Sequence, residues 1–284
     1  MIDRIGFGGL NDTLLRSIEN NRSKTSVSLA KIASSNRLSS AGEDPASSAL
    51  ANQIQSEVTV LSQAVRNVDA GVNFVNTAEG GLSTIADLIA RGRELSVQAS
   101  NGTLNDAQRQ TLNNEFTAVR SEIDRITNSS EFNGQPLLNG NLGAKSPNQV
   151  NVQAGSGSGP ENQINLNVIE NTGTKALGID TANISTAEGA RQAFSALDSA
   201  ANKINETRGQ VGALTNRLAV SSNVLGNSIV NLSSAQNELS GTDIASEITK
   251  LQQSFNQTQV SIRALSIQNQ QTAQSTGRLL DIRG

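Results

Sequence analysis

Residues 45–101 have the sequence PASSALANQIQSEVTVLSQAVRNVDAGVNFVNTAEGGLSTIADLIARGRELSVQASN. Apolar residues recur in this stretch mostly at steps of three and four, with two steps of seven, at Leu50, Ile54, Val58, Leu61, Val65, Val68, Val72, Val75, Leu82 and Ile89. This heptad pattern predicts a long helix that winds against partner helices. At ~1.5 Å per residue such a helix is roughly 80 Å long. It cannot bury its apolar row alone, so the rest of the chain must supply the partners.

The composition excludes several classes of function. The chain has 284 residues, of which 2% are aromatic, and it contains neither Cys nor His. Disulfides, thiol catalysis, zinc-thiolate sites and His-based sites are therefore excluded, and we expect neither an enzyme nor a cofactor. The net charge of -3 comes without a run of Lys and Arg, so nucleic acid is not an expected partner. No stretch approaches the ~20 apolar residues of a membrane span, and residues 1–15 lack the pattern of a Sec-type signal peptide.

Two further stretches repeat the helical pattern. The long helix is expected to end at Asn101-Gly102, with Gly102 at the position that favours a left-handed residue. A capping-box spacing from Thr103 to Asp106 starts the next helix, and the short connection predicts an antiparallel hairpin. The apolar residues of this helix are Leu112, Phe116, Val119, Ile123 and Ile126. A second long row begins after Thr186 with Ala190, Phe194, Leu197, Ala201, Ile204, Val211, Leu214, Leu218, Leu225 and Leu232.

The middle of the chain has a different character. Pro136, Pro147 and Pro160 fall between residues 129 and 185, among many glycines. Two alternating runs, 149–153 and 163–168, bracket a polar segment and predict a β-hairpin with a long loop. The predicted fold class is therefore mainly α. It is a long-helix coiled-coil bundle formed by the N- and C-terminal halves, with a small β-hairpin element in the middle.

The two ends of the chain are alike, because each carries a weakly apolar helix that needs a partner outside itself. Asp44 and Pro45 are expected to start the long helix after the first, and Asp243 is expected to cap the last. The rows consist of Leu10, Leu14, Ile18 and Ile32 at the N-terminus and of Ile244, Ile248, Leu251, Phe255, Ile262 and Leu265 at the C-terminus. The chain thus divides into regions 1–42, 43–130, 131–185, 186–240 and 241–284.

Short motifs in both halves resemble those of bacterial flagellins, in the same order and at the same spacing. They cover roughly residues 30–140 and 187–255, and only together are they specific. In the first half they are Asn36-Arg37-Leu38, Glu43-Asp44, Gln63-Ala64, Arg66-Asn67, Asp69-Ala70-Gly71, Thr77-Ala78-Glu79-Gly80, Arg93-Glu94-Leu95, Val97-Gln98-Ala99, Asn101-Gly102-Thr103, Glu122-Ile123-Asp124-Arg125 and Glu131-Phe132-Asn133-Gly134. In the second half they are Arg208, Gly212-Ala213, Asn216-Arg217-Leu218 and Thr242-Asp243-Ile244-Ala245-Ser246-Glu247.

The resemblance implies a filament subunit. In that family the end helices are disordered in the free monomer and pair in the inner tube of the filament, and the long helices form an outer coiled-coil layer. Regions 1–42 and 241–284 would then be assembly helices, and their apolar rows would contact other copies. The resemblance also implies export through the flagellar type III apparatus without a cleaved signal. It implies an export chaperone, a cap protein and hook-associated proteins as partners, and an extracellular location in the flagellum.

A further implication concerns innate immunity. In some flagellins the surface that matches Arg91, Glu94, Leu95 and Glu115 is recognised by the flagellin-sensing Toll-like receptor. Gly92 departs from the usual apolar residue of this pattern, and Ile89 replaces a leucine. A solvated helix face accounts for the same charges equally well.

Three other classes of protein are alternatives to a filament subunit. A hook–filament junction protein shares the end helices, although the Asn216-Arg217-Leu218 and Glu131-Phe132-Asn133-Gly134 motifs favour flagellin itself. A cytoplasmic signalling coiled coil is similarly rich in Ala, Ser and Gln, but the β element and the broken heptads near both ends are against it. An enzyme would need an acid–base pair such as Asp69 and Glu79, and these lie about 15 Å apart along one helix.

Overall fold

The computed structural model describes the backbone of residues 3–39 and 42–281 and the side chains of residues 9–39 and 42–274. The predicted fold class is confirmed: the described chain is mainly helical, with two small antiparallel sheets. The helices are α1 (Asp3–Ser34), α2 (Pro45–Ala99), α3 (Asp106–Ser129), α4 (Thr174–Leu177), α5 (Ala187–Ser240) and α6 (Ile244–Asp281). The strands are β1 (Glu131–Phe132), β2 (Gln135–Pro136), β3 (Asn151–Gln153) and β4 (Gln163–Asn165).

The chain divides into two compact units. The terminal unit comprises Met1–Ser56 and Leu232–Gly284, and the central unit comprises Glu57–Asn231. Within the part of the chain that the structure describes, no helix is long and apolar enough to cross a bilayer. The five regions proposed from the sequence stay a prediction. Residues 40–41, within the predicted break before the long helix, lie outside the described residues.

The heptad-spaced apolar residues of α2 lie in the core of the central unit. Val68, Val75, Leu82 and Ile89 are all buried, as expected for a heptad seam whose residues lie on one face of the helix. Helix α5 runs antiparallel to α2 in this unit. Its Leu218 lies near Gly71 of α2, and farther along the pair the Arg208 guanidinium forms an ion pair with Glu79 at 2.7 Å.

The turn between α2 and α3 differs in detail from the prediction. Gly102 is not among the residues with positive φ. The last turn of α2 is instead capped by Arg109 of α3, which donates from Nε to the carbonyl oxygen of Ala99 at 3.1 Å and from Nη2 to that of Asn101 at 3.2 Å. The capping box of α3 is formed by Asn105 and Gln108, two residues after the predicted start. The predicted antiparallel hairpin needs only this short turn.

The predicted β-hairpin is formed by β3 and β4, with Val152 paired to Ile164. A second hairpin that the sequence analysis did not predict joins β1 and β2 through Asn133 and Gly134, whose φ angles are 52° and 76°. These are the positive values that a two-residue hairpin turn requires, and Asn-Gly is the sequence that favours them.

In the terminal unit, α1 and α6 run antiparallel. Ser17 Oγ lies 3.5 Å from Ser261 Oγ, and Ser28 Oγ donates to Glu247 Oε1 at 2.7 Å. The two predicted caps are present: Asp44 accepts a hydrogen bond from Ser47 N at 3.0 Å, and Asp243 accepts one from Ser246 N at 3.1 Å. The α1–α6 pair therefore has a defined register.

Candidate assembly and recognition surfaces

Helix α6 carries two rows of residues at heptad spacing. The first row is polar, faces α1 and is buried, and we call it the polar row: Glu247, Ser254, Ser261 and Gln268. On the α1 side, Asn21 and Ser28 are buried against it. Hydroxyl, amide and carboxylate groups thus fill much of the seam between α1 and α6 of the same chain. Such a seam contributes little hydrophobic stabilisation, since the free energy of burial scales with apolar area.

The second row of α6 is apolar and lies beside the first on the helix surface. We call it the apolar row: Ile248, Phe255 and Ile262, which remain 46%, 55% and 45% exposed. Ile244 is also exposed, and Leu251 and Leu265 are half-buried. All six are assembly residues proposed from the sequence. The structure leaves Ile244, Ile248, Phe255 and Ile262 substantially exposed, whereas Leu251 and Leu265 lie between the apolar row and the polar row and are largely covered.

The four candidate assembly residues of α1 do not behave alike. Leu10 is exposed, Leu14 and Ile32 are half-buried, and Ile18 is buried against the rest of the terminal unit. Ile18 therefore stabilises the α1–α6 pair and is not available to a second copy while the pair is intact. Leu15 and Leu29, which the sequence analysis did not single out as assembly residues, are more than half exposed.

The other flank of the α1–α6 pair is a polar groove of about 770 Å³. It is lined mostly by amides and hydroxyls, including those of Ser17, Asn21, Gln253 and Asn256. The pair thus has one flank rich in exposed Ile and Phe and one flank rich in Gln and Asn. A two-sided helix pair of this kind buries only one of its sides when it packs against an apolar partner.

Glu247 is the one carboxylate within the polar row. The hydrogen bond from the Ser28 hydroxyl and then that from Lys250, whose Nζ lies 3.0 Å from Oε2, hold the pKa of Glu247 below its ordinary value. Nearby, Lys31 forms an ion pair with Glu43 at 2.6 Å. Glu247 was part of a motif in the sequence but was not predicted as a site residue. The spacing of seven between the four polar-row positions is the signal that would have found it.

Three of the four candidate receptor residues form one exposed cluster in the central unit. Arg91 donates to Glu115 at 2.6 Å and to Glu94 at 3.0 Å. The bonds to Glu115 and then to Glu94 raise the pKa of Arg91 above its ordinary value. Leu95 is fully buried, at 0% exposure. A receptor contact by Leu95 would require it to leave the core, so the surface consists of Arg91, Glu94 and Glu115.

A mainly helical chain whose end helices expose an apolar row belongs to the class of structural proteins that associate through helices. The comparisons with known proteins specify the family. The bacterial flagellin N-terminal helical region matches residues 10–142, and the bacterial flagellin C-terminal helical region matches residues 194–280. The chain belongs to the bacterial flagellin family, and it is a structural subunit of the flagellar filament.

Individual relatives agree with this assignment. The chain is 30% identical to the flagellar filament 30.7 kDa core protein of Treponema maltophilum, over 88% of this chain and 90% of that protein. It is 32% identical to flagellin of Bacillus subtilis, over 90% of this chain and 93% of the relative.

Among solved structures, Bacillus cereus flagellin matches 56% of this chain and 88% of its own, at 29% identity and a TM-score of 0.48. A putative flagellar hook-associated protein from Vibrio parahaemolyticus matches 70% of this chain and 100% of its own, with a TM-score of 0.57 and 14% identity. At that identity the likeness shows a shared fold alone and does not favour the hook-associated alternative.

Proposed function

We propose that copies of this chain polymerise by covering the apolar row of α6, so that ordering of the end helices and filament growth occur together. The single observation behind this proposal is the exposure of Ile248, Phe255 and Ile262 on a helix whose buried heptad row is polar. Large apolar side chains repeated at heptad spacing are stabilised when another helix covers them. A subunit of a filament has such helices at hand in its neighbours.

The matched substitution series for this proposal lies within α6. Replacing Ile248, Phe255 and Ile262 by Ser should abolish filament formation, because the row then has no apolar surface to bury. Replacing the exposed Gln259 and Gln270 by Ser is the control and should leave polymerisation intact. Filaments are scored by electron microscopy and by sedimentation after seeding. Normal polymerisation of the triple variant would disprove the proposal.

A deletion tests the role of α1 in the same assay. A chain that lacks residues 1–35 has no partner for the polar row, and we expect it to keep the central unit folded while failing to polymerise. The helical circular dichroism signal and thermal unfolding report on the central unit. Filaments formed by the deleted chain would contradict the requirement for α1.

The remaining partners and the location are proposed from family membership. We propose that the chain leaves the cell through the flagellar type III apparatus without a cleaved signal, meets an export chaperone, and joins a filament bounded by cap and hook-associated proteins. The α6 apolar row would need covering before polymerisation, which supports a chaperone that binds there. Loss of secretion on deletion of the export apparatus, with accumulation of the intact chain inside the cell, is the expected result.

We also propose the Arg91, Glu94 and Glu115 cluster as a contact for the flagellin-sensing Toll-like receptor. The geometry in favour is the fixed guanidinium, held by two carboxylates on an exposed surface of the central unit. Arg91→Ala should weaken binding to the receptor ectodomain. Arg125→Ala is the matched control, because Arg125 makes a similar exposed ion pair with Glu122. If both variants bind the receptor ectodomain equally well, Arg91 makes no specific contact and the cluster is a solvated helix face.

A further inference from the structure

Arg263 is an isolated charge on α6. Between residues 244 and 274, where the side chains are described, the charged residues of this helix are Glu247, Lys250 and Arg263, and the first two form an ion pair with each other at 3.0 Å. Arg263 is exposed, follows Ile262 of the apolar row directly, and forms no ion pair with any side chain of residues 9–39 and 42–274. An unpaired cation on a helix that also carries an exposed apolar row favours a partner with negative charge.

The direction of Arg263 excludes α1 of the same chain as that partner. At about 100° per residue, Arg263 points about 160° away from Ser261, which faces α1. On α1, Asp12 and Glu19 point similarly far from Asn21, which faces α6. The two acids and Arg263 therefore lie on opposite outer faces of the pair, roughly 20 Å apart for two helices of ~10 Å diameter.

Arg263, Asp12 and Glu19 lie at similar positions along the axis of the helix pair. Ser17 lies opposite Ser261, so the antiparallel register sets Arg263 level with Leu15. Asp12 and Glu19 are one turn below and one turn above that level, at about 4.5 and 6 Å along the axis. Both are exposed, and neither forms an ion pair with another described side chain. Arg16 lies between them and Arg22 follows Glu19 by one turn, and neither arginine forms an ion pair with either acid among the described side chains.

We propose that Arg263 of one copy pairs with Asp12 and Glu19 on the outer face of α1 in a second copy. The contact is heterologous, because the outer face of α6 meets a different surface, the outer face of α1. Heterologous contacts close into rings or continue as helical arrays, which is the geometry that a filament needs. The charges set the height and the choice of neighbour, whereas the apolar row supplies the buried area. This inference rests on the proposed self-assembly.

Charge reversal in the full chain tests the pairing. Arg263→Glu places three carboxylates together and should raise the critical concentration for polymerisation at least about tenfold. The triple variant with Asp12→Lys, Glu19→Lys and Arg263→Glu restores opposite charges and should return the critical concentration to near that of the unsubstituted chain. Lys145→Glu, an equal change of charge at an exposed lysine of the central unit, is the matched control and should polymerise normally.

A mixture gives a sharper result, because a heterologous contact has two different faces. Copies with Arg263→Glu and copies with Asp12→Lys and Glu19→Lys should each polymerise poorly alone and should polymerise together in an alternating order. Normal polymerisation of Arg263→Glu alone, or failure of both the triple variant and the mixture to recover, would overturn the pairing. If the unsubstituted chain itself fails to polymerise, the proposed function fails instead. Thermal unfolding of each variant verifies that the central unit remains folded.

Discussion

Ser28 and Glu247 are joined by a hydrogen bond of 2.7 Å between the Ser28 hydroxyl and Glu247 Oε1, in a seam where both side chains are about 95% buried. The bond links α1 to α6, two helices that are far apart in the sequence. Glu247 is also the carboxylate of the polar row, and its second oxygen accepts from Lys250 at 3.0 Å. The strength of the Ser28 bond depends on that carboxylate being charged, since hydrogen bonds to an ionised acceptor are stronger than neutral ones.

The first prediction is acid sensitivity of the α1–α6 pair. The pKa of Glu247 is lowered in the folded chain, chiefly by the Ser28 hydroxyl. A depressed carboxyl pKa gives stability that is present above the unfolded value of about 4.5 and is lost as the pH falls through the folded value. We therefore expect filaments to release subunits progressively below about pH 4.5. In Glu247→Gln this part of the pH dependence should be absent, and the filaments should already be weaker at pH 7. Sedimentation across a pH series measures both effects, and identical profiles for the two chains would contradict this role of Glu247.

The second prediction concerns the cap that Arg109 provides. Arg109→Ala leaves the carbonyl oxygen of the buried Ala99 without its donor, whereas Asn101 keeps the backbone donor of Leu104. This loss should lower the free energy of unfolding by about 1–3 kcal/mol. Glu122 and Arg125 on the same helix provide the comparison. Arg125→Ala removes an exposed guanidinium and should change the free energy of unfolding much less, because water screens an exposed ion pair. Chemical denaturation measures both variants, and equal losses would show that the Arg109 cap contributes no more than a surface pair.

The third prediction compares two adjacent glycines in α2. A Cβ on Gly81 would lie 2.7 Å from Leu138 Cδ1, whereas a Cβ on Gly80 would have nothing within 4 Å. Gly80→Ala should therefore stabilise the chain by up to about 1 kcal/mol through helix propensity. Gly81→Ala should destabilise it, because Leu138 is buried and must move. Thermal unfolding of the two variants should shift in opposite directions. A shift of the same sign in both would mean that Leu138 relaxes without cost.

The fourth prediction is a small coupling between Glu79 and Arg208. Their side chains are about one-third exposed, and the ion pair measures 2.7 Å. A pair so accessible to water should be worth less than about 1 kcal/mol at physiological salt. A double-mutant cycle with Glu79→Gln and Arg208→Gln isolates this coupling energy. A coupling above about 2 kcal/mol would indicate that the pair is desolvated more than its exposure suggests.

The long helices were predictable because their stabilising residues are apolar and periodic. The row from Leu61 to Ile89 has one hydrophobic residue for nearly every heptad position, and burial follows directly from the spacing. The β3–β4 hairpin was predictable from alternation. The β1–β2 hairpin was not, because strands of two residues are too short to alternate, although Asn133-Gly134 is a turn signal.

The polar row was harder to predict for a different reason. Hydrophobic periodicity identifies a contact surface by its apolar residues, so the sequence predicted Ile248, Phe255 and Ile262 as residues that contact other copies and did not predict which residues of α6 face α1. The structure shows that the intrachain contact with α1 includes the buried Ser254 and Ser261. Leu95 illustrates the converse: a motif matched to a receptor surface gave no information about burial, which depends on where α2 meets its neighbours.

The polar row has a consequence for how the end helices tolerate water. Hydroxyl and amide groups form hydrogen bonds with water as readily as with one another, so the polar-row serines and Gln268 lose little when α1 and α6 separate. An apolar seam would expose more hydrophobic surface when the helices separate, and the free chains would then be prone to aggregate. When α1 and α6 separate, the four polar-row residues expose groups that water solvates, and the apolar row changes its surroundings little because it is already exposed. The four polar-row residues therefore favour reversible separation of α1 and α6.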